Sequence, residues 1–213
     1  MKKLFFITLL SLCTLTSNAQ KKRSAKSTKS KNEVIAKLDE VSAEIITINK
    51  ERSLVLFVKN GAGVDTLKMK TVDKTFKPLN FVLKPVTVKS VKLYVASWNE
   101  QNIEKTKTKE VTADITESQI WNPATKSLLI GNTQKDSHIK ETVFLDANKT
   151  ASHEVEKKRK EGFQFVLNED GSLILKTKTQ ENHYAYNPTN DKYEPTKAVV
   201  TAKKTAPKSK KRR

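Results

Sequence analysis

Short segments in which apolar and polar residues alternate recur along the chain, and they limit what it can fold into. Val, Ile, Leu, Thr and aromatic residues dominate these segments, and clusters of Asn, Asp, Gly and Pro separate them. Alternation with a period of two places successive side chains on opposite faces of a β-strand. In the clearest case, residues 163–167 form one strand, Asp170-Gly171 forms the turn, and residues 173–177 return as the second strand of a hairpin.

The same pattern predicts about ten short strands in all. Residues 44–48, 54–58 and 64–69 form a three-stranded meander, with turns at residues 49–53 and 60–63. Further strands are predicted at residues 86–98, 107–115, 118–121, 128–130, 142–145, 152–156 and 183–186. Because no helices separate these strands, the fold class is mainly β: a single antiparallel sandwich, a barrel or an open meander.

One segment is compatible with a short leading helix. Val34, Leu38, Val41 and Ile45 recur at helical spacing behind Asn32, a residue that caps helices well. We therefore allow for a helix over residues 32–43.

Two turns late in the chain resemble each other. Residues 120–126 and 185–192 each place an aromatic residue before Asn-Pro and a lysine soon after. An internal repeat would explain the match. The simpler explanation is that Asn-Pro after an aromatic residue is a common way to leave a strand, because Pro fixes φ and Asn caps the turn.

The first nineteen residues have the composition of a cleavable export signal. Two lysines lie near the start, residues 4–15 are mostly apolar, and the small residues Ser17 and Ala19 precede a predicted cleavage before Gln20. The apolar stretch is too short to span a bilayer as a helix, which takes about twenty residues. We expect residues 1–19 to be removed and the product to lie in the periplasm, at the periphery of the outer membrane or outside the cell.

The single cysteine, Cys13, leaves with this signal, so no disulfide is expected in the mature chain. A lipoprotein is disfavoured because Leu12, and not a small residue, precedes the cysteine. No later segment is long and apolar enough to be a transmembrane helix. Residues 34–196 are the right length for one β-rich domain with one core.

Positive charge is concentrated at the two ends of the mature chain. The net charge is +18, of which residues 20–33 carry +5, residues 197–213 carry +8, and residues 34–196 carry only +3. We call the first two the amino-terminal and carboxy-terminal basic segments. Both lack aromatic residues and are predicted to be disordered. The predicted polyanion-binding residues are Lys21, Lys22, Arg23, Lys203, Lys204, Lys208, Lys210, Lys211, Arg212 and Arg213.

No catalytic motif indicates an enzyme. The sequence contains no Gly-rich phosphate loop, no Gly-x-Ser-x-Gly and no His-Glu-x-x-His. His138, His153 and His183 have no ligand spacing, and surface or turn positions explain them better than a zinc site. The run at residues 157–160 is basic and is predicted to be a solvated loop between strands.

Aromatic residues offer one further candidate site. Tyr184, Tyr186 and Tyr193 with Trp98 and Trp121 would form a sugar-stacking surface if they met, although core positions are the commoner role.

Three functional hypotheses follow. The first is an exported, non-enzymatic binding or envelope-associated protein, with no cofactor, whose basic ends bind polyanions such as lipopolysaccharide, acidic polysaccharide or nucleic acid. The second is a secreted hydrolase whose site is assembled from distant strands. The third is a structural or assembly protein that uses its strand edges. The oligomeric state is left open.

Overall fold

Three antiparallel sheets make up the structure. The computed structural model describes residues 32–196, and in that range it contains thirteen strands and no helix. The first sheet contains β1 Glu33–Leu38, β2 Val41–Ile48, β3 Glu51–Asn60 and β4 Gly63–Val72. The second contains β5 Leu79–Val88, β6 Val91–Lys105, β7 Lys109–Asn122, β8 Ser127–Phe144 and β9 Ser152–Glu161. The third contains β10 Gln164–Leu167, β11 Leu173–Lys176, β12 Glu181–Asn187 and β13 Lys192–Pro195.

Within each sheet, neighbouring strands are neighbours in sequence, so each sheet is a meander. The prediction of a mainly β, antiparallel fold is confirmed. None of the three sheets closes into a barrel, so that alternative is removed. None of the described residues forms a helix long and apolar enough to cross a membrane. The export signal and the basic segments lie outside the described residues, apart from Asn32 and Glu33.

The predicted leading helix is wrong. Residues 32–43 form β1, a turn in which Asp39 has a φ of +51°, and the start of β2. Val41 and Ile45 are both buried, but the buried Ala43 between them belongs to the same face. A spacing of four residues fits both the helical period and the period of two, and here the strand wins because β2 pairs along its whole length with β3.

The predicted hairpins are confirmed, and the two turns of the meander are shorter than predicted. Phe165 lies opposite Leu175, and Leu167 opposite Leu173, across the predicted turn. The meander of β2, β3 and β4 is also present. Its first turn is only Asn49-Lys50, where φ values of +50° and +70° give the two-residue geometry that matches strand twist.

Several predicted strands are joined or divided in the structure. The predicted strands 107–115 and 118–121 are joined in β7, which begins only at Lys109, and those at 128–130 and 142–145 are joined in β8, which ends at Phe144. Residues 86–98 are split between β5 and β6 by the turn at Lys89-Ser90. The predictions followed apolar alternation, whereas the joining stretches are mostly polar and lie where the sheet faces solvent.

The second sheet lies between the other two and shares a core with each. Along β6, Tyr94, Ala96 and Trp98 point toward the first sheet, while Leu93 and Val95 point toward the third. Trp98 is 1% exposed and stacks on Phe81, with ring centroids 5.8 Å apart. A strand buried on both faces is apolar at successive positions, as residues 93–96 are.

The far end of the second sheet has no such cover. It consists of residues 100–105 of β6, 109–115 of β7, 135–144 of β8 and all of β9, and we call it the distal sheet. Most of its side chains are exposed or half-buried. None of its residues belongs to either hydrophobic core, and only Ala113 and Ser137 are buried there.

A close contact joins the second and third sheets at Gly171. This residue has a φ of +80°, and a Cβ added to it would overlap both methyl groups of the buried Val88. Its carbonyl oxygen also accepts a hydrogen bond of 3.0 Å from the Tyr193 hydroxyl. Gly61 has a similar φ of +58° but open space around it.

We expect Gly171→Ala to lower the free energy of unfolding by about 2 to 4 kcal/mol, because it adds overpacking to left-handed strain. Gly61→Ala carries the strain alone and should cost about 1 kcal/mol. Urea denaturation of both variants measures the difference. Equal losses would show that the contact between Gly171 and Val88 contributes nothing.

Candidate functional site

The predicted polyanion-binding residues all lie outside the described residues, so the structure does not position them. The domain between them is close to neutral, with 25 basic and 22 acidic residues in residues 34–196. The prediction that the basic segments bind polyanions therefore stays a prediction.

The three histidines do not converge. His138 on β8 and His153 on β9 belong to one sheet, but His138 is paired with Lys158 and His153 with Val143, positions of opposite parity that face opposite sides. His183 lies on β12 of the third sheet, 3.6 Å from a Glu181 carboxylate oxygen. Among the described residues, no group of three His, Cys, Asp or Glu side chains is placed to hold a metal ion. The geometry gives a zinc hydrolase no support.

The candidate aromatic surface is wrong. Trp98, Trp121, Tyr186 and Tyr193 are buried in the two cores, and Tyr184 packs half-buried against the second of them. The polar atoms of the four buried aromatic side chains are satisfied within the protein: the Trp121 indole, for example, donates to the Gln119 side chain at 2.9 Å. These residues hold the sheets together and present no face to a ligand.

The basic run at residues 157–160 is part of β9, and its prediction as a loop is wrong. Lys157 pairs with Glu141 at 3.5 Å, and Lys160 with Asp136 at 2.9 Å, across the ladder to β8. Surface pairs of this kind contribute little to stability. Charges along the outermost strand do have another effect, which is to deter other strands from pairing with it.

A partly buried ionic network marks the boundary between the core and the distal sheet. The Lys70 ammonium of β4 lies 2.6 Å from Glu100 and 3.0 Å from Glu117, and the Trp98 indole donates to Glu100 at 2.7 Å. Partial burial lowers the pKa of Lys70, but the two carboxylates outweigh it and the net pKa is raised. Each member has a partner, so the network fastens the first sheet to the second and leaves no group free for a ligand.

The densest polar cluster surrounds Asp191, in the turn between β12 and β13. One carboxylate oxygen accepts hydrogen bonds from Asn122 at 2.7 Å and from the Tyr186 hydroxyl at 2.8 Å. The other accepts from Ser127 at 2.9 Å and from Thr125. The cluster therefore joins the β7–β8 turn to the β12–β13 turn, more than sixty residues apart in sequence.

These are the two turns that resemble each other in sequence, and they share a conformation. In each, the Asn side chain accepts from the amide two residues later at 3.0 Å, and four residues connect the strands. The last of these residues has a positive φ in both cases, +60° at Lys126 and +52° at Asp191. The flanking strands differ greatly in length, so the likeness is confined to the turns.

Hydrogen bonding sets the ionisation of this cluster. Partial burial raises the pKa of Asp191, but the four donors stabilise the carboxylate and bring the pKa down to about 2. Burial, reinforced by the neighbouring carboxylate, raises the pKa of Tyr186 to about 12. Asp191 is thus a fixed anion at neutral pH with its acceptor sites used internally, which suits a structural junction and not an acid or a base.

Three surface grooves, of about 260, 240 and 210 Å³, are open to solvent. Two lie on the outer face of the first sheet, and the third at the tip of the distal sheet. All are smaller than typical small-molecule sites, which begin at about 300 Å³.

Comparison of the chain with protein-family models, with curated proteins and with solved structures finds no match.

The Asp191 junction should make the fold sensitive to acid. Its pKa in the folded protein lies below the ordinary value of 3.8, so its stabilisation is present above about pH 4 and is lost as the pH falls toward about 2. We expect Asp191→Asn to lower the free energy of unfolding at pH 7 by about 1 to 3 kcal/mol.

Denaturant titrations between pH 7 and pH 2.5 measure this effect. The difference between parent and Asp191→Asn should shrink as the pH falls, while Glu169→Gln, in an exposed turn, should follow the parent throughout. A difference that stays constant with pH would contradict the assignment.

Proposed function

We propose that the protein is exported and acts as a non-enzymatic binding protein whose basic segments hold polyanions while the β domain serves as a neutral scaffold. One observation carries the proposal: residues 20–33 and 197–213 hold +13 of the +16 charge left once residues 1–19 are removed. Non-specific attraction to phosphate or carboxylate polymers increases with the density of positive charge. In this chain that density is highest in the two basic segments.

The described domain supports this division of roles. Its largest basic run, on β9, faces acidic partners on β8, so its field is partly cancelled. The groove at the tip of the distal sheet is lined by four lysines, at positions 105, 107, 109 and 140, but three glutamates beside them offset most of this charge. Lipopolysaccharide, acidic polysaccharide and extracellular nucleic acid are the partner classes that suit the predicted compartment.

A hydrolase is the weaker alternative. A hydrolase requires a nucleophile, or a general acid and a general base, beside the same substrate bond. Among the described residues, the histidines are too far apart and the carboxylates of the Lys70 network and of Asp191 are bonded internally, so they do not form such a site.

Two variants with matched charge changes test the proposal. The first replaces Lys210, Lys211, Arg212 and Arg213 with Gln, and the second does the same to residues 157–160 of β9. We expect the first to bind heparin and DNA more weakly with a shallower salt dependence, and the second to bind like the parent. The parent's affinity should fall about a thousandfold between 50 and 200 mM salt if six or more contacts form.

Circular dichroism of both variants confirms that the fold is intact before binding is compared. If the β9 variant loses binding and the carboxy-terminal variant does not, the recognition surface is on the domain and the proposal fails.

A further inference from the structure

One half of β6 has an open edge. β5 pairs with β6 from Val91 to Asn99, where Asn99 lies opposite Leu79. Beyond that point β6 continues to Lys105 with only β7 beside it. Among residues 32–196, no strand lies on the other side of residues 100–105.

The backbone groups that this edge presents follow from the turn at its end. The amide of Thr106 donates to the Lys109 carbonyl at 2.7 Å, so the two strands are joined by hydrogen bonds at this pair. Counting back in steps of two, the even-numbered residues of β6 direct N–H and C=O toward β7. Gln101, Ile103 and Lys105 therefore direct theirs to the open side.

The pairing with β5 agrees with this assignment. The two-residue turn between β5 and β6 is closed by Val88 and Val91, and such turns close on a hydrogen-bonded pair. Odd-numbered residues of β6 thus bond to β5 as far as Asn99, and the next odd-numbered residues have no strand to bond. No hydrogen bond from another described residue reaches these outward groups.

The side chains on this edge do little to block pairing. The opposite edge of the distal sheet, β9, is dense in lysine and arginine, a common defence of edge strands. On β6, Ile103 is 58% exposed in the middle of the open stretch, with amide and carboxylate side chains around it and a single lysine, Lys105, at the end. An exposed apolar residue centred on unpaired backbone groups suits an added strand.

We propose that the open edge of β6 pairs with the same edge of a second copy of this chain, antiparallel and with Ile103 opposite Ile103. In this register Gln101 lies opposite Lys105, and Asn102 lies opposite Glu104. No two like charges lie directly opposite each other, and each pair of odd-numbered residues exchanges two backbone hydrogen bonds.

Other two-fold registers are worse. Only odd-numbered residues present backbone groups on the open side, so one copy can slide along the other only by two residues at a time. Each such step moves the centre of the two-fold pairing by one residue. One step in one direction sets Glu100 opposite Glu104, and a step in the other sets Glu104 opposite itself. A second step in the first direction requires Asn99, whose outward side is already occupied by Leu79, and a second step in the other direction sets Lys105 opposite itself. The charges along residues 99–106 therefore select the register centred on Ile103.

The result is a closed, symmetric dimer in which the two distal sheets become one continuous sheet with β9 at each outer edge. Because the same patch serves both copies, assembly stops at two. The basic β9 strands discourage further addition. This inference rests on the strand edge alone and does not depend on polyanion binding.

Cysteine cross-linking tests the register in the full chain, with Cys13→Ser removing the native thiol. Opposed Cα atoms of a hydrogen-bonded pair lie about 5.5 Å apart, within disulfide range. Ile103→Cys should therefore form a disulfide dimer under mild oxidation. Gln101→Cys should not, because its copies lie about 13 Å apart, whereas a mixture of Gln101→Cys and Lys105→Cys should cross-link. Equal cross-linking of Ile103→Cys and Gln101→Cys, or none at Ile103→Cys, would overturn the register.

Sedimentation tests the dimer without cysteines. The parent should dimerise with rising concentration, and Ile103→Lys should stay monomeric because it sets like charges opposite each other. Leu145→Lys, at an exposed position away from the edge, is the matched control and should dimerise like the parent. Mixing Ile103→Lys with Ile103→Glu should restore dimers.

Salt separates this contact from polyanion binding. The chains repel each other through their net positive charge, so the dimer should strengthen with salt while polyanion binding weakens. A parent that remains monomeric at millimolar concentration, or an Ile103→Lys variant that dimerises as the parent does, would refute the proposal.

Discussion

Burial of one strand segment on both faces is the constraint on which the rest of the structure depends. Residues 93–98 of β6 pack Leu93 and Val95 against the third sheet and Tyr94, Ala96 and Trp98 against the first. Apolar area removed from water stabilises a fold by about 25 cal/mol per Å². Because a meander sheet alone buries one face at best, stacking three of them is how this chain gains two cores without disulfides. The ionic network at Lys70 fastens the first sheet to β6 and β7, and the cluster at Asp191 fastens the third sheet to the turn between β7 and β8.

The distal sheet begins where that burial ends. Beyond Glu100 the same strands continue without a covering layer, and their side chains become charged or half-buried. What holds them is the backbone ladder, a few half-buried aliphatic side chains and cross-strand ion pairs such as Lys105 with Glu110 at 2.8 Å. The open edge of β6 is a consequence of this extension, because β5 accompanies β6 only as far as the core reaches.

Local pattern was enough to predict the hairpins, since Asp170-Gly171 and the alternation on either side of it depend only on neighbouring residues. It was not enough for residues 32–43, where a spacing of four residues satisfies both helical and strand periods. It also missed that polar stretches such as residues 131–141 are strand, because polar residues occupy both faces there and leave no apolar alternation. The docking of the two Asn-Pro turns through Asp191 joins positions far apart in sequence, and no local pattern records such a contact. For the same reason the open edge of β6 became visible only once the extent of β5 was known.

The central claim is that stability comes from the two covering layers. Hydrogen exchange along β6 tests it most directly. The amides of Tyr94 and Ala96 and those of Asn102 and Glu104 all bond to β7, so they differ mainly in cover. At a protein concentration where the chain is monomeric, the first two should exchange only through global unfolding. The last two should exchange through local opening, at a free energy lower by at least about 2 kcal/mol. Equal protection along the whole of β6 would contradict the account, because the distal sheet would then be as stable without a core as the centre is with two.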